Sequence, residues 1–275
     1  MTSLLRPARA ALLTLLVVLG ALGSGPSRAA GQEDPGEGWN SPGALELVRA
    51  ARSVRQASAS DSTLQSYQAR AQGFVYFFLD RDDEVEHTLI KADQLELEVY
   101  WRAPDETRQR IIGMRDEEVL PTDINYHLDH LTVVLDEFGD RIRMGDGDEV
   151  SSVVHPLAPG ATADYDYRLA DSLTITLPGP GEPIRVYGIE VRPRFPEQPA
   201  FVGTVYLDRA SAAIVRMNFT FTPASYVDDY LDYIRISLDN GLWEGRYWLP
   251  DRQHAELRRE IPGLDLPVGS VIRGR

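Results

Sequence analysis

His127 and His130 bracket Leu128 and Asp129 in YHLDH, the spacing at which two imidazoles on a helix can share a metal ion. Here the pair runs straight into LTVVLDEF, a strand-like run, where a spacing of three sends side chains to opposite faces. No second cluster supplies the missing ligands, so both read as surface or loop histidines. Asp146, Asp148 and Glu149, with Asp136, Glu137 and Asp140 upstream, offer many oxygens. They lack the ordered alternation of a calcium loop and read as a solvated acidic turn. Paired carboxylates do acid–base work when a cleft holds them, but 42 acids in 275 residues bring such pairs together by chance. G-x-S-x-G, phosphate-loop and dinucleotide motifs are absent from the sequence. The residues therefore point to no metal, no cofactor and no reaction; a hydrolase using acids or His127 and His130 is the outsider. In LWEGRYWL, Trp243, Tyr247 and Trp248 stand close together. Rim aromatics can stack on sugars or seat at a lipid interface, but their expected use is to plug the end of a sheet.

The elements that must position any site are strands. In FVGTVYLDRASAAIVRMNFTF, Val205 and Leu207 alternate with Thr204 and Tyr206. After an Asp208-led turn, Val215, Met217, Phe219 and Phe221 alternate with Arg216, Asn218 and Thr220. A period of two marks an antiparallel hairpin with one apolar and one wet face. The pattern recurs in 67–79, with Val75 and Phe77 on one side, and in 95–102, with Leu97, Val99 and Trp101 on one side. A Pro-containing turn at 103–106 returns the chain through 107–114. Shorter strands are expected at 131–135, 142–144, 165–169 and 173–177, and longer ones at 230–238 and 244–259. In PIRVYGIEV the apolar phase slips from Ile184 and Val186 to Ile189 and Val191, which predicts a bulge at Gly188. One helix opens the mature chain. Ser41 stands as its cap, Pro42 in its first turn, and Ala44, Leu47, Val48, Ala51 and Val54 form its apolar stripe. The Pro- and Gly-rich stretches 156–162 and 178–183 read as loops rather than domain boundaries. The fold class is thus mainly β: a strongly curved antiparallel sheet, an unclosed barrel, packed against an N-terminal helix.

The ends and the composition bound the setting. Residues 1–29 have the charged start, short apolar run and small-residue cut of a signal peptide. Residues 30–41 read as a flexible acidic leader, and 42–275 as a single β-rich periplasmic domain or the front of a longer protein. The sequence has no cysteine, so its core must supply the stability that disulfides give other exported domains. Removing the signal takes away three arginines and no acid, moving the formal charge from −14 to −17. That balance excludes a nucleic-acid partner and electrostatic docking on anionic lipid. Lys91 is the single lysine, a sign of compositional bias.

Two stretches carry a resemblance. VYWRAPDETRQRI at 99–111 and GTVYLDRASAAIVRMNF at 203–219 resemble the opening and later hairpins of the bacterial lipoprotein-localisation-factor (LolA/LolB-like) fold. That resemblance implies an unclosed barrel binding acyl chains in a concave apolar interior. HPLAPGATADYDYRL, VYGIEVRPR and FVGTVYLD, within 155–222, resemble the periplasmic region of an uncharacterised outer-membrane β-barrel protein family. The expectation is a non-catalytic binding protein in the periplasm or on the periplasmic face of the outer membrane. Its ligand would be a lipid or an acylated or amphipathic envelope component. Val75, Phe77, Leu97, Val99, Trp101, Val205, Leu207, Val215, Met217, Phe219 and Phe221 would line the concave face. The alternative is an interaction module fronting an outer-membrane barrel assembly, with the sheet filled by its own side chains.

Overall fold

The computed structural model describes residues 38–59, 63–79, 88–103, 106–120, 138–144, 149–176, 183–261 and 264–274. The expected signal peptide, most of the expected leader, His127, His130 and the strand expected at 131–135 lie outside them.

The helix α1 spans Pro42–Ala59. Ser41 caps it: its Oγ accepts from the Ala44 N–H at 3.3 Å, as a short polar side chain does for an orphan donor. Ala44, Val48 and Ala51 are buried, and Leu47 and Val54 half-buried, so the apolar stripe faces inward. Among the described residues twelve strands follow. They are β1 (Ser66–Leu79), β2 (Thr88–Arg102), β3 (Glu106–Glu118), β4 (Arg141–Met144), β5 (Val150–Val154), β6 (Tyr165–Ile175), β7 (Ile184–Pro193), β8 (Phe201–Asp208), β9 (Ile214–Phe221), β10 (Leu231–Trp243), β11 (Tyr247–Ile261) and β12 (Leu264–Gly274).

Ten strands form one antiparallel sheet in the order β3-β2-β1-β12-β11-β10-β9-β8-β7-β6, and β4 and β5 make a separate hairpin. The sheet is curved and its rims, β3 and β6, do not meet, so it is an unclosed barrel. Register carries one face across it without a break. Tyr167 opposes Val191, Val191 opposes Gly203, Gly203 opposes Phe219, and Phe219 opposes Ile236. Ile236 opposes Ala255, then Ile272, Val75, Asp93 and Asp116 follow in turn. Opposed residues share a face, so the row defines an inner side common to all ten strands. The alternation read from the sequence has its physical cause here.

The core fills one end of that inner side. Val48 and Ala51 of α1, Ile142 of β4 and Val150 and Val153 of β5 pack on Tyr165, Tyr167, Ile189, Phe201, Val205, Leu207, Met217, Phe219, Phe221, Ile234 and Ile236. The helix and the small hairpin thus lie over β6–β10. Phe219 is central, stacked on Phe201 at 4.9 Å and edge-on to Phe221 at 5.6 Å, spacings that aromatic rings favour.

Three expectations need correction. The extra residue at the phase slip lies in β6, not at Gly188: Tyr187 opposes Ser172 and Ile189 opposes Leu169, leaving Ala170 and Asp171 against the one glycine. The last strand, β12, was missed because LDLPVGSVIRG carries Pro and Gly in place of clean alternation. Gly38 to Asn40 do not behave as a loose leader. The Asn40 N–H donates to the Tyr167 carbonyl at 2.6 Å, Asn40 Oδ1 accepts from the Tyr167 N–H at 3.0 Å, and Trp39 bridges to Arg168.

Candidate binding surface

The eleven residues expected to line a concave face divide between two environments. Val205, Leu207, Met217, Phe219 and Phe221 belong to the closed core under α1 and β4–β5, and Val215 is fully buried. At that end the face is filled by the chain itself. Val75, Phe77, Leu97 and Val99 are each about 2 % exposed, on the inner side of β1 and β2. Trp101 is half-buried and stacks on Tyr67, its opposite number, at 5.4 Å.

On this second half the apolar row runs outward to the rim. Leu97 opposes Ile111 and Leu95 opposes Met114. Leu95 is 1 % exposed, whereas Ile111 is 41 % and Met114 51 % exposed. An apolar lane that starts in full burial and ends in solvent is what a partner of similar polarity can cover.

A charged pair sits at one end of the lane. Lys91 opposes Phe77 and Asp93 opposes Val75, and the two charges are 3.5 Å apart with side chains 9 % and 6 % exposed. The Lys91 ammonium also lies 6.0 Å from the Phe77 ring centre. Burial pushes the Asp93 carboxyl above its ordinary value, opposed by Lys91 and helped by Asp116 and Glu118 opposite. Asp93 Oδ1 has no hydrogen-bond partner among the described residues. Alternation from Leu95 and Leu97 puts both residues on the inner side, and the bulge between Phe77 and Phe78, which leaves Ile90 without an opposite number, lies just beyond them. The single lysine is thus a buried ion rather than a trace of composition.

A small cavity of about 30 Å³ lies where α1 meets β9–β11, lined by Arg55, Phe138, His155, Met217, Leu238, Asn240 and Gln253 among others. Its size suits one water molecule and not an acyl chain. The Leu157 N–H donates to His155 Nδ1 at 3.0 Å. Burial, with the Arg55 charge adding to it, holds the ring well below 6.5, so it is neutral. Arg55 donates to the Phe138 carbonyl and to Asp140 at 3.1 Å, so the guanidinium is a structural tie. Sequence reasoning missed His155 as an individual; the only signal was its place before the PLAPG loop.

Other sequence candidates fall elsewhere. Asp146 and Asp148 lie outside the described residues, and Glu149 is buried, 3.7 Å from Arg259, rather than solvated. Of the rim aromatics, Tyr247 and Trp248 are half-buried, and Trp243 does not plug the sheet. Glu244 and Gly245, with φ of 50° and 67°, make a tight turn at the tip of the β10–β11 hairpin, and Trp243 stands 63 % exposed beside it. Among the described residues no group of three or more His, Cys, Asp or Glu is placed to hold a metal ion.

Residues 84–270 match the model of a family of unknown function, DUF5686. The chain belongs to that family. The match takes in all of 155–222, the stretch whose resemblance is strongest, and all of β2 to β11. No curated protein sequence matches it. Among solved structures it is similar to a LolA superfamily protein, NE2245 of Nitrosomonas europaea, at 12 % identity over 84 % of this chain and 91 % of that one, with a TM-score of 0.26. It is also similar to the MucA/MucB complex of Pseudomonas aeruginosa, at 12 % identity over 84 % and 93 %, TM-score 0.22. The ywiB protein of Bacillus subtilis follows at 6 % identity over 80 % and 96 %, TM-score 0.19. The expected likeness to the LolA-like fold is thus met among solved structures.

Proposed function

We propose that this chain is an exported, non-catalytic binding protein of the bacterial envelope. It holds an apolar ligand, or an acylated or amphipathic partner, against the β1–β3 end of its inner face. One observation supports this above others: the inner apolar lane passes from buried Leu95 and Leu97 to exposed Met114 and Ile111, while the other end of the same face is filled. Binding sites of this kind are mostly apolar with a few polar anchors, and the Lys91–Asp93 pair is the anchor at hand. Cleavage behind Ala29 and residence in the periplasm or on the periplasmic face of the outer membrane are part of the proposal. The intact mass of the envelope-borne protein tests the cleavage.

The binding test uses a dansyl-labelled fatty acid and native mass spectrometry of protein prepared without detergent. Met114→Asp and Ile111→Asp, both at exposed positions, should weaken probe binding at least tenfold, and Trp243→Ala should leave it unchanged. Equal binding by all four proteins, or no binding by the parent, overturns the proposal.

The filled β6–β10 half favours a second reading, in which the domain is the soluble front of an outer-membrane barrel assembly. Envelope fractions probed for a barrel protein crosslinked to the chain distinguish it from the first.

A further inference from the structure

The two rims of the sheet are finished differently. At β6 the outer edge is covered by Trp39 and Asn40, with Trp39 held between Arg168 and Arg192 at 4.9 and 4.1 Å. β3 pairs with β2 on one side and, among the described residues, with no strand on the other. It is 13 residues long, contains no proline, and exposes Ile111, Ile112 and Met114 at its middle. Proteins ordinarily shorten, kink or cover such edges, because a free row of N–H and C=O groups templates another strand.

Charge is distributed along β3 as a dipole. Arg108 and Arg110 outweigh Glu106 in its first half, and Asp116, Glu117 and Glu118 outweigh Arg115 in its second. A strand with the same sequence complements it only when it runs antiparallel. We infer that β3 is a self-recognition edge, through which two copies of this chain pair β3 to β3 about a two-fold axis. Such an interface is isologous and closed, so it stops at a dimer. This inference does not rest on the binding proposal.

The pleat fixes the register. Opposed residues must share a face, and Ile111 and Met114 both lie inward, opposite Leu97 and Leu95. Ile111 of one copy therefore meets Met114 of the other, and Gln109 meets Asp116. On the outer face Arg108 meets Glu117. Arg110 falls opposite Arg115, and its charge is already engaged by Glu98 at 3.3 Å. Apolar pairs thus occupy the centre, and the opposite charges of Arg108 and Glu117 meet on the outer face on either side of it.

The full chain should shift from one to two chain masses with rising concentration in sedimentation velocity. Arg108→Glu and Glu117→Arg each place like charges opposite twice per dimer, and each should weaken it about tenfold. The double exchange Arg108→Glu with Glu117→Arg should restore it. Because the chain has no cysteine, an oxidised mixture of the single variants Ile111→Cys and Met114→Cys should crosslink between copies. Neither variant alone should match its yield. A monomer at every concentration, a dimer indifferent to both charge reversals, or a mixture that does not crosslink overturns the inference. The outer-face reversals leave the inner lane intact, so fatty-acid probe binding reads the other proposal independently.

Discussion

Gly203 lies directly opposite Phe219 in the β8–β9 ladder, and the strands approach so closely that no side chain fits between them. A Cβ on Gly203 would stand 2.2 Å from the Asn218 carbonyl oxygen and 2.7 Å from the Phe219 Cβ. These obstacles are backbone and the root of a core ring, which cannot swing away. Gly203→Ala is therefore expected to destabilise the fold by about 1–3 kcal/mol. A lowered urea midpoint with an unchanged slope is the expected result, and an unchanged midpoint contradicts it.

Lys91 and Asp93 hold each other's charge on a buried face. Removing one partner leaves the other ionised without compensation, so Lys91→Met should cost about 3 kcal/mol, and Lys91→Met with Asp93→Leu should recover most of it. Asp93 has a raised folded value, so its burial penalty is present at neutral pH and disappears as pH falls through that value. The deficit of Lys91→Met should therefore shrink between neutral pH and the ordinary aspartate value of 3.8. Chemical unfolding of the parent and both variants across that range checks the sign.

Tyr165 ties three elements together. Its hydroxyl donates to the Val154 carbonyl at 2.6 Å and accepts from the Phe201 N–H at 3.1 Å. Burial first of all pushes its ionisation up to about 12. Tyr165→Phe would orphan a buried donor and a part-buried acceptor, at about 1–3 kcal/mol. Faster hydrogen exchange at the Phe201 amide is the local signature, and a spectrophotometric titration should lose one late-ionising tyrosine.

His155 contributes in the opposite sense to Asp93. Its folded value is depressed, so the neutral ring's contribution is complete above the unfolded value of 6.5 and is lost as pH falls below it. His155→Gln should flatten the stability profile below 6.5, at the cost of overall stability. A variant whose profile keeps the parent's slope would remove His155 from this role.

How much of this was legible in the sequence follows from the period of each element. Strict alternation in 201–221 located β8 and β9 and their buried side, because every inward residue there is apolar. The Ser41 cap and the α1 stripe were legible for the same local reason. Lys91 and Asp93 were not. Nothing about two charged residues announces burial, although the period of two from Leu95, Leu97 and Val99 puts them on the same inner side. Nor could alternation tell Met217, covered by α1 and the β4–β5 hairpin, from Val75, which they leave alone. Coverage is decided by where the helix and the hairpin land, a long-range property absent from any strand's own pattern.

The seam between β1 and β12 has a kinetic consequence. These strands open and close the sheet's order in the chain, yet they lie side by side, with Val75 against Ile272. Until β12 has been synthesised, β1 can hold only β2, and the nascent sheet remains in two unjoined leaves. Joining them closes a loop of nearly the whole domain, the kind of distant pairing that folds slowly. A folding chain therefore passes through an interval with β1 bare on one flank, when a holding chaperone would matter most.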